Sequence, residues 1–150
     1  MISRYEQFST AIARIYHAIQ RIERVEMEKF GLKGPYVQCM LAMRQNPEGL
    51  TSGQLCSMCE KDKAAISRTL SELEQEGMVD RDVSGGNRYR AVLRLTQRGL
   101  DAANQVYDRV RLAVEKAGEG LSEAQRSVFY QVLSLISENL KTICTEGLAE

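Results

Sequence analysis

Two cysteines lie at a spacing that can serve zinc binding or thiol redox chemistry. They are Cys56 and Cys59, separated by two residues. A structural zinc site needs four ligands, and the chain offers no second close pair of cysteines and only one histidine. The sequence therefore predicts no metal site and favours packing roles for both residues. A thiol-redox protein or sensor that uses this pair is the alternative function.

The remaining residues show no arrangement typical of catalysis or cofactor binding. No Ser/His/Asp set, paired carboxylate site or phosphate-binding loop is evident. Gly85 and Gly86 are interpreted as a turn and no more. We therefore expect a protein that is not an enzyme, with no catalytic residues and no cofactor.

The composition is typical of an ordinary globular protein, and the sequence predicts a reducing compartment. The 150 residues include 20 Lys plus Arg and 20 Asp plus Glu, which gives a net charge of zero and no first indication of nucleic acid binding. No uncharged apolar stretch is long enough for a membrane span, and charged residues interrupt the N-terminus where a signal peptide would be apolar. The sequence thus predicts a cytoplasmic protein whose other cysteines, Cys39 and Cys144, are reduced packing residues, with an oxidation switch at one of them as the alternative.

Apolar residues recur at spacings of three and four along most of the chain, which predicts helices. Between the fourth and fifth helices the period changes to two, which predicts a β-hairpin. The predicted helices cover about residues 1–30, Pro35 to Gln45, a short segment capped by Thr51 or Ser52, Asp62 to Glu76, a segment from a Thr96 cap to about Ala117, and a segment from a Ser122 cap to about Glu146. The predicted strands are Val79 to Val83 and Tyr89 to Leu95, joined by a turn at residues 84–87.

The fourth helix has one apolar face and one small, polar and basic face. A helix that reads the DNA major groove must pack one side and present the other. Ile66, Leu70 and Leu73 supply the packed side. Arg68 has the reach and fork geometry to bond a guanine edge in two places. The predicted DNA-contacting residues of this helix are Lys63, Ala64, Ser67, Arg68 and Ser71, although Arg68 could instead pair with Glu72 four residues on.

The predicted hairpin is basic. Residues 83–100 contain four arginines and no acidic residue, and the period of two sets three of those arginines on the face away from Leu93 and Leu95. A glycine-rich tip can enter a minor groove or lie along phosphates. The predicted DNA-contacting residues here are Asn87, Arg88 and Arg90, with solvated strand arginines as the alternative.

The two ends of the chain carry heptad-like apolar stripes that a small central region cannot cover. A second copy of the chain would bury them, which predicts a symmetric homodimer. A dimer formed through these helices that binds no DNA, a structural adaptor, is a further alternative. The predicted dimerisation residues are Tyr5, Phe8, Ile12, Phe129, Ile136 and Leu140.

Residues of the first two helices could line a ligand pocket. Methionines and aromatic rings suit a small hydrophobic or phenolic effector. The alternative is that these residues only pack the joint between the helices. The predicted ligand-binding residues are Tyr16, His17, Tyr36, Cys39 and Met40.

Several segments together resemble one protein family. Residues 50–56, 62–70 and 73–79 resemble the helix-turn-helix of the MarR family of bacterial transcriptional regulators. Residues 88–99, with their closing Leu-Thr-x-x-Gly, are similar to that family's wing, and residues 121–125 resemble the start of its C-terminal helix. The resemblance covers most of the chain and is specific only in combination.

The resemblance implies a homodimeric winged helix-turn-helix protein that binds a pseudo-palindromic promoter site in double-stranded DNA. It also implies frequent repression that a small ligand or thiol oxidation relieves. Many members carry an Asp-x-Arg pair in the wing, where this chain has Asn87 and Tyr89, so the basic role moves to Arg88 or Arg90.

The expected organisation is a single MarR-like domain of mainly α class with a small β-hairpin wing. Its parts are dimerisation helices at residues 1–30 and 122–148, a DNA-binding winged helix-turn-helix region at residues 35–96, and a connecting helix at residues 97–118.

Overall fold

The computed structural model describes residues 1–84, 86 and 90–149. Within them the chain forms six α-helices, one short 3-10 helix and one antiparallel pair of strands, which confirms the mainly α class with a small β wing. The elements, in chain order, are α1 (Arg4–Glu28), the 3-10 helix Gly34–Tyr36, α2 (Val37–Gln45), α3 (Ser52–Cys59), α4 (Lys63–Gln75), β1 (Val79–Asp82), β2 (Val92–Leu95), α5 (Gln97–Ala117) and α6 (Glu123–Glu146).

The internal contacts divide the chain into two compact units, Met1–Arg111 and Leu112–Glu150. The boundary falls inside α5, the helix predicted as the connector. The first unit holds the apolar core, which α2, α3, α4, β2 and the first part of α5 build around the end of α1. Fully buried side chains in it include Met27, Met40, Met43, Leu55, Ile66, Leu70, Leu73, Met78, Leu93 and Val106.

The second unit consists of the end of α5 and α6. No described side chain of α6 is buried. The turn between the two helices is closed by Arg126, which donates a 2.9 Å hydrogen bond to the carbonyl oxygen of Gly118 and forms a 3.1 Å ion pair with Glu115. Ser122 and Gln125 form the predicted capping box at the start of α6.

Three predicted element boundaries were wrong. Pro35 does not open α2, because Gly34–Tyr36 forms a 3-10 turn and the α-helix begins at Val37. Strand β1 ends at Asp82, one residue early, because the Asp82 carboxylate accepts a 2.9 Å hydrogen bond from the Ser84 amide and turns the chain there. Strand β2 begins at Val92, the residue paired with Asp82, and not at Tyr89; Tyr89 itself lies outside the described residues.

The junction between β2 and α5 explains why Thr96 and Gly99 occur three positions apart. The Thr96 hydroxyl donates a 2.6 Å hydrogen bond to the Gly77 carbonyl oxygen and accepts one of 3.0 Å from the Gly99 amide. A Cβ atom on Gly99 would lie 2.0 Å from the carbonyl oxygen of Met78. Only glycine allows α5 to start this close to the end of α4.

Candidate nucleic-acid interface

Helices α3 and α4 are fixed at their ends by the side chains that the sequence predicted. The Thr51 hydroxyl accepts a 3.2 Å hydrogen bond from the Gln54 amide, and the Thr51 amide donates to the Gln54 side chain at 2.9 Å. The turn that follows α3 passes through Glu60, which has a left-handed φ of 52°. The Asp62 carboxylate then accepts a 2.7 Å hydrogen bond from the Ala65 amide and starts α4. The turn thereby sets the direction of α4 relative to α3.

Helix α4 has two distinct faces. Ile66, Leu70 and Leu73 are fully buried, and Thr69, which was not predicted on this face, is buried beside them. Because the inner face is locked into the core, the outer face is held in one orientation. All five predicted DNA-contacting residues of this helix are exposed on it: Lys63, Ala64, Ser67, Arg68 and Ser71.

Arg68 does not pair with Glu72, the alternative partner that the spacing suggested. The Glu72 carboxylate instead accepts a 3.3 Å hydrogen bond from Lys33. Hydrogen bonding from Tyr36 and Lys33 lowers the pKa of Glu72. Among the described residues, Arg68 has no hydrogen-bond or ion-pair partner, so its guanidinium is available to an external group.

The wing is a two-stranded antiparallel sheet, and Leu50, which precedes α3, pairs with it as a single additional residue. Val79 lies opposite Leu95 and Asp82 opposite Val92. Leu50 exchanges hydrogen bonds of 3.0 and 2.8 Å with Leu93, a pairing that the sequence did not reveal. Of the wing residues predicted to contact DNA, Arg90 is exposed, and Asn87 and Arg88 lie outside the described residues.

Two ion pairs fix the base of the wing. Arg81 donates to Glu74 with Nε at 2.9 Å and Nη2 at 2.7 Å, and this pair is half-buried between β1 and α4. Arg94 donates a 3.0 Å hydrogen bond to the carbonyl oxygen of Glu48 and lies 3.6 Å from the Asp82 carboxylate. These partners are distant from the arginines in the sequence, so the sequence analysis missed them.

The predicted ligand-binding residues do not gather around one cavity. Tyr36, Cys39 and Met40 are buried in the core, and His17 lies on an arginine-rich stretch of α1. Tyr16 alone of the five lines a cleft of about 590 Å³ between α1, the 3-10 helix, α2 and α3. Other residues that line this cleft are Glu23, Pro35, Met58, Cys59 and Lys61.

Glu23 is a charged residue of α1 that lies on the side of the helix facing the core. Its side chain is 8% exposed, because it shares the inward face of the helix with Glu26 and Met27. No described residue forms a hydrogen bond or ion pair with the Glu23 carboxyl, and burial raises its pKa. Glu26, in contrast, pairs with Lys29 at 2.6 Å and with Arg109 at 3.4 Å.

The cysteine sulfur in contact with Cys59 belongs to Cys39, not to Cys56. The two Sγ atoms are 3.9 Å apart and join α2 to α3. Cys56 is half-buried beside the core, and Cys144 is exposed on α6. Across the described ranges, no cluster of three His, Cys, Asp or Glu side chains could hold a metal ion. None of the helices there combines the length and apolar character of a membrane span.

The predicted dimerisation residues are uncovered within one chain. On α1, Tyr5, Phe8 and Ile12 are exposed, with Tyr5 at 77%. On α6, Phe129 and Leu140 are exposed and Ile136 is half-buried. Each helix considered by itself thus presents a row of apolar side chains to solvent.

Comparison with known proteins agrees with this architecture. The MarR family model matches residues 30–88, the segment from the end of α1 into the wing. A protein from Thauera aromatica, whose name links it to transcriptional regulation of the hcr operon, is 27% identical over 99 residues. That alignment covers 66% of this chain and 60% of the relative, so the chain spans only part of the relative's length.

Solved structures share the fold over nearly the whole chain. A MarR protein from Peptoclostridium difficile superposes with a TM-score of 0.82 at 17% identity, covering 95% of this chain and 94% of its own. A MarR-family protein from Listeria monocytogenes, solved with a 26-mer DNA, superposes with a TM-score of 0.80 at 19% identity, covering 94% and 95%. The MarR family model thus matches the segment from the end of α1 into the wing, and the solved structures share the winged helix-turn-helix fold of this chain.

Proposed function

We propose that this protein is a transcriptional regulator that binds double-stranded DNA by inserting α4 into the major groove. The observation that carries the proposal is the exposed outer face of α4. Its side chains are small or polar, so the helix can approach the base edges closely, and Arg68 projects from it without a partner among the described residues. A guanidinium can bond the O6 and N7 atoms of guanine together.

The wing supplies contacts to the flanking backbone or minor groove. Arg90 is exposed beside β2, and Asn87 and Arg88 precede it in the sequence. The Arg81–Glu74 pair ties β1 to α4, so a wing bound to phosphates would fix the angle of the reading helix. The relative from Listeria monocytogenes was solved with DNA, which supports a DNA-binding role for the shared fold.

A homodimer would cover the apolar side chains of α1 and α6 and place two copies of α4 on one DNA. Two-fold symmetry in the protein favours a pseudo-palindromic site with half-sites about one helical turn apart. Bound at a promoter, such a dimer blocks access by other proteins, so repression is the mode of regulation that we propose. We infer that it acts in the cytoplasm, and we assign it no enzymatic activity.

The cleft lined by Tyr16 and Glu23 is the site that we propose for a small hydrophobic or phenolic effector. Tyr16, Met58 and Pro35 offer apolar contact. The Glu23 carboxyl, which has no partner among the described residues and lines the cleft, could accept a hydrogen bond from a phenolic hydroxyl. An effector bound there would shift the population between dimers that can and cannot bind DNA.

Selection of bound duplexes from random DNA tests the proposed function. We expect a two-fold symmetric motif whose affinity falls as the salt concentration rises, because binding releases counterions from the phosphates. A mobility shift on that motif, with and without added phenols, then reports on the effector. Failure to enrich any sequence, together with salt-independent binding, would contradict the proposal and favour a structural adaptor that only dimerises.

A further inference from the structure

The sulfur atoms of Cys39 and Cys59 form an isolated contact between two helices. Their Sγ atoms are 3.9 Å apart although the residues are 20 positions apart in the sequence. Cys39 lies in the first turn of α2, and Cys59 is the last residue of α3. The fold therefore creates a dithiol that the Cys-x-x-Cys spacing did not predict.

The two thiols have different surroundings. Cys39 is 1% exposed and lies within the core. Cys59 is half-buried and lines the cleft of about 590 Å³, so a small molecule in that cleft can reach its sulfur. One thiol thus faces the cleft and the other lies beneath it.

The contact also shifts the pKa values of the two thiols in opposite directions. The hydrogen bond with Cys39 lowers the pKa of Cys59 to about 7, and the positive charge of Lys61 acts in the same direction. The hydrogen bond with Cys59 and burial raise the pKa of Cys39. Cys59 is therefore the thiol that ionises near neutral pH, with the Cys39 S–H donating to its thiolate, and the thiolate is the reactive form of cysteine.

We propose that Cys39 and Cys59 form a reactive dithiol at which a hydroperoxide oxidises Cys59 and Cys39 then closes an intrachain disulfide between α2 and α3. Cys59 reacts first because its sulfur is reached from the cleft. Cys39 reacts second because its sulfur is already in contact with that of Cys59.

The chemistry proceeds in two balanced steps. The Cys59 thiolate attacks the terminal oxygen of the hydroperoxide, so an S–O bond forms, the O–O bond breaks, and the alkoxide leaves and takes up a proton. The Cys39 sulfur then attacks the sulfur of the resulting sulfenic acid, so the S–S bond forms and the S–O bond breaks. The hydroxide leaves with the Cys39 proton as water. Two thiols lose two electrons, and the hydroperoxide is reduced to an alcohol and water.

Disulfide closure requires movement at the end of α3. An S–S bond is about 2.05 Å long, so the two sulfurs must approach well inside their present contact. Cys59 ends its helix and is followed by Glu60 in the left-handed region, so α3 does not continue past Cys59. Asp62, which caps α4, is three residues beyond Cys59. An effect of the disulfide on DNA affinity rests on the proposed function, whereas the thiol chemistry does not.

Peptide mapping without DNA tests the proposal. Trypsin cleaves after Lys33, Arg44 and Lys61, so Cys39 lies in peptide 34–44, and Cys56 and Cys59 both lie in peptide 45–61. After treatment of the full-length protein with hydrogen peroxide, we expect these two peptides to be joined until a reductant is added. A bond between Cys56 and Cys59 would instead leave peptide 45–61 alone and two hydrogens lighter, which would overturn the proposal, as would the absence of any bridged product.

Variants assign the order of reaction. Cys59→Ser should abolish the bridged product, and Cys39→Ala should leave a sulfenic acid on Cys59 that dimedone traps. A thiol with a pKa near 7 is about half ionised at pH 7 and one near 8.5 only about 3%, so Cys39→Ala should also slow oxidation of Cys59 by about 15-fold. Cys56→Ser and Cys144→Ser are matched controls that should retain bridging. If Cys39→Ala does not fold, the map of the unmodified protein still decides whether the bridge forms.

Discussion

The guanidinium of Arg81 on β1 is bound by two nitrogens to one oxygen of Glu74 on α4, with Nε at 2.9 Å and Nη2 at 2.7 Å. The Arg81 side chain is 15% exposed and that of Glu74 is 29% exposed. An ion pair so far from solvent is less screened than a surface pair. It therefore couples the proposed reading helix to the base of the wing.

This pair predicts a measurable coupling energy. We expect a double-mutant cycle of Arg81→Ala and Glu74→Ala, followed by chemical denaturation, to give a coupling of about 1–2 kcal/mol, because charge-assisted hydrogen bonds of low exposure exceed neutral ones. The exposed Lys33–Glu72 pair, at 68% and 43%, is the control and should give less than about 1 kcal/mol. Equal couplings in the two cycles would show that Arg81 contributes no more than a surface charge.

The close approach at Gly99 predicts a large loss of stability on adding one methyl group. A Cβ atom there would lie 2.0 Å from the Met78 carbonyl oxygen, so backbone must move. We expect Gly99→Ala to cost about 3 kcal/mol and to lower Tm by roughly 6–12 °C, measured by thermal denaturation.

Gly53 provides the matched control for this substitution. It is exposed in α3, and an added Cβ atom would lie 3.9 Å from the Thr51 hydroxyl oxygen, which is an ordinary van der Waals distance. Gly53→Ala should be neutral or stabilising by up to about 1 kcal/mol, because alanine favours a helix. A Tm for Gly99→Ala equal to that of the unmodified protein would refute the steric argument.

The local features of this fold could be predicted from the sequence because they depend on near neighbours. The Thr51, Asp62 and Ser122 caps each bond an amide three residues on. The two faces of α4 follow from the helical period alone. The predicted start of α2 failed because Pro35 is equally compatible with a 3-10 turn.

The contacts that define the cleft and the wing base could not be predicted, because they join residues distant in the sequence. Nothing near Cys39 indicates that it meets Cys59, and nothing near Arg81 selects Glu74 among the neighbouring acids. Glu23 is buried because α1 packs its end against the core, and a helical wheel cannot decide which flank of an apolar stripe is covered. The burial of Glu23 could therefore be recognised only from the structure.

Substitution of two arginines should separate base reading from backbone contact. On the proposed function, Arg68→Ala should cost about 1–3 kcal/mol on the selected motif and relax specificity, whereas Arg90→Ala should weaken specific and random duplexes more evenly. Fluorescence anisotropy measures the affinity of each variant for the selected motif and for a random duplex. Arg111→Ala, an exposed arginine on α5, is the control for loss of charge. Equal losses on both duplexes for Arg68→Ala would exclude it as a base reader.

The reactivity of Cys59 should depend on pH with a midpoint near neutrality. The hydrogen bond with Cys39 and the charge of Lys61 lower the pKa of Cys59 to about 7. The rate of its alkylation by iodoacetamide, followed in peptide 45–61 of the Cys56→Ser variant, should rise with pH to a plateau above that value. Cys39→Ala removes the first cause and should move the midpoint towards the ordinary thiol pKa of about 8.5. An unmoved midpoint would mean that Cys39 does not stabilise the thiolate.

Glu23 should make stability depend on pH in the direction opposite to a paired carboxylate. Burial raises its pKa in the folded state, so the folded protein holds this proton more tightly than the unfolded chain. Stability is therefore lost as pH rises from the unfolded value, about 4.3, through the raised folded value. Glu23→Gln lacks this ionisation, so denaturation should show it more stable than the unmodified protein at pH 7, with the difference shrinking towards pH 4. Arg24, Lys61 and the acidic Glu60 line the same cleft, and a difference that is constant with pH would mean that Arg24 or Lys61 already compensates the Glu23 carboxylate.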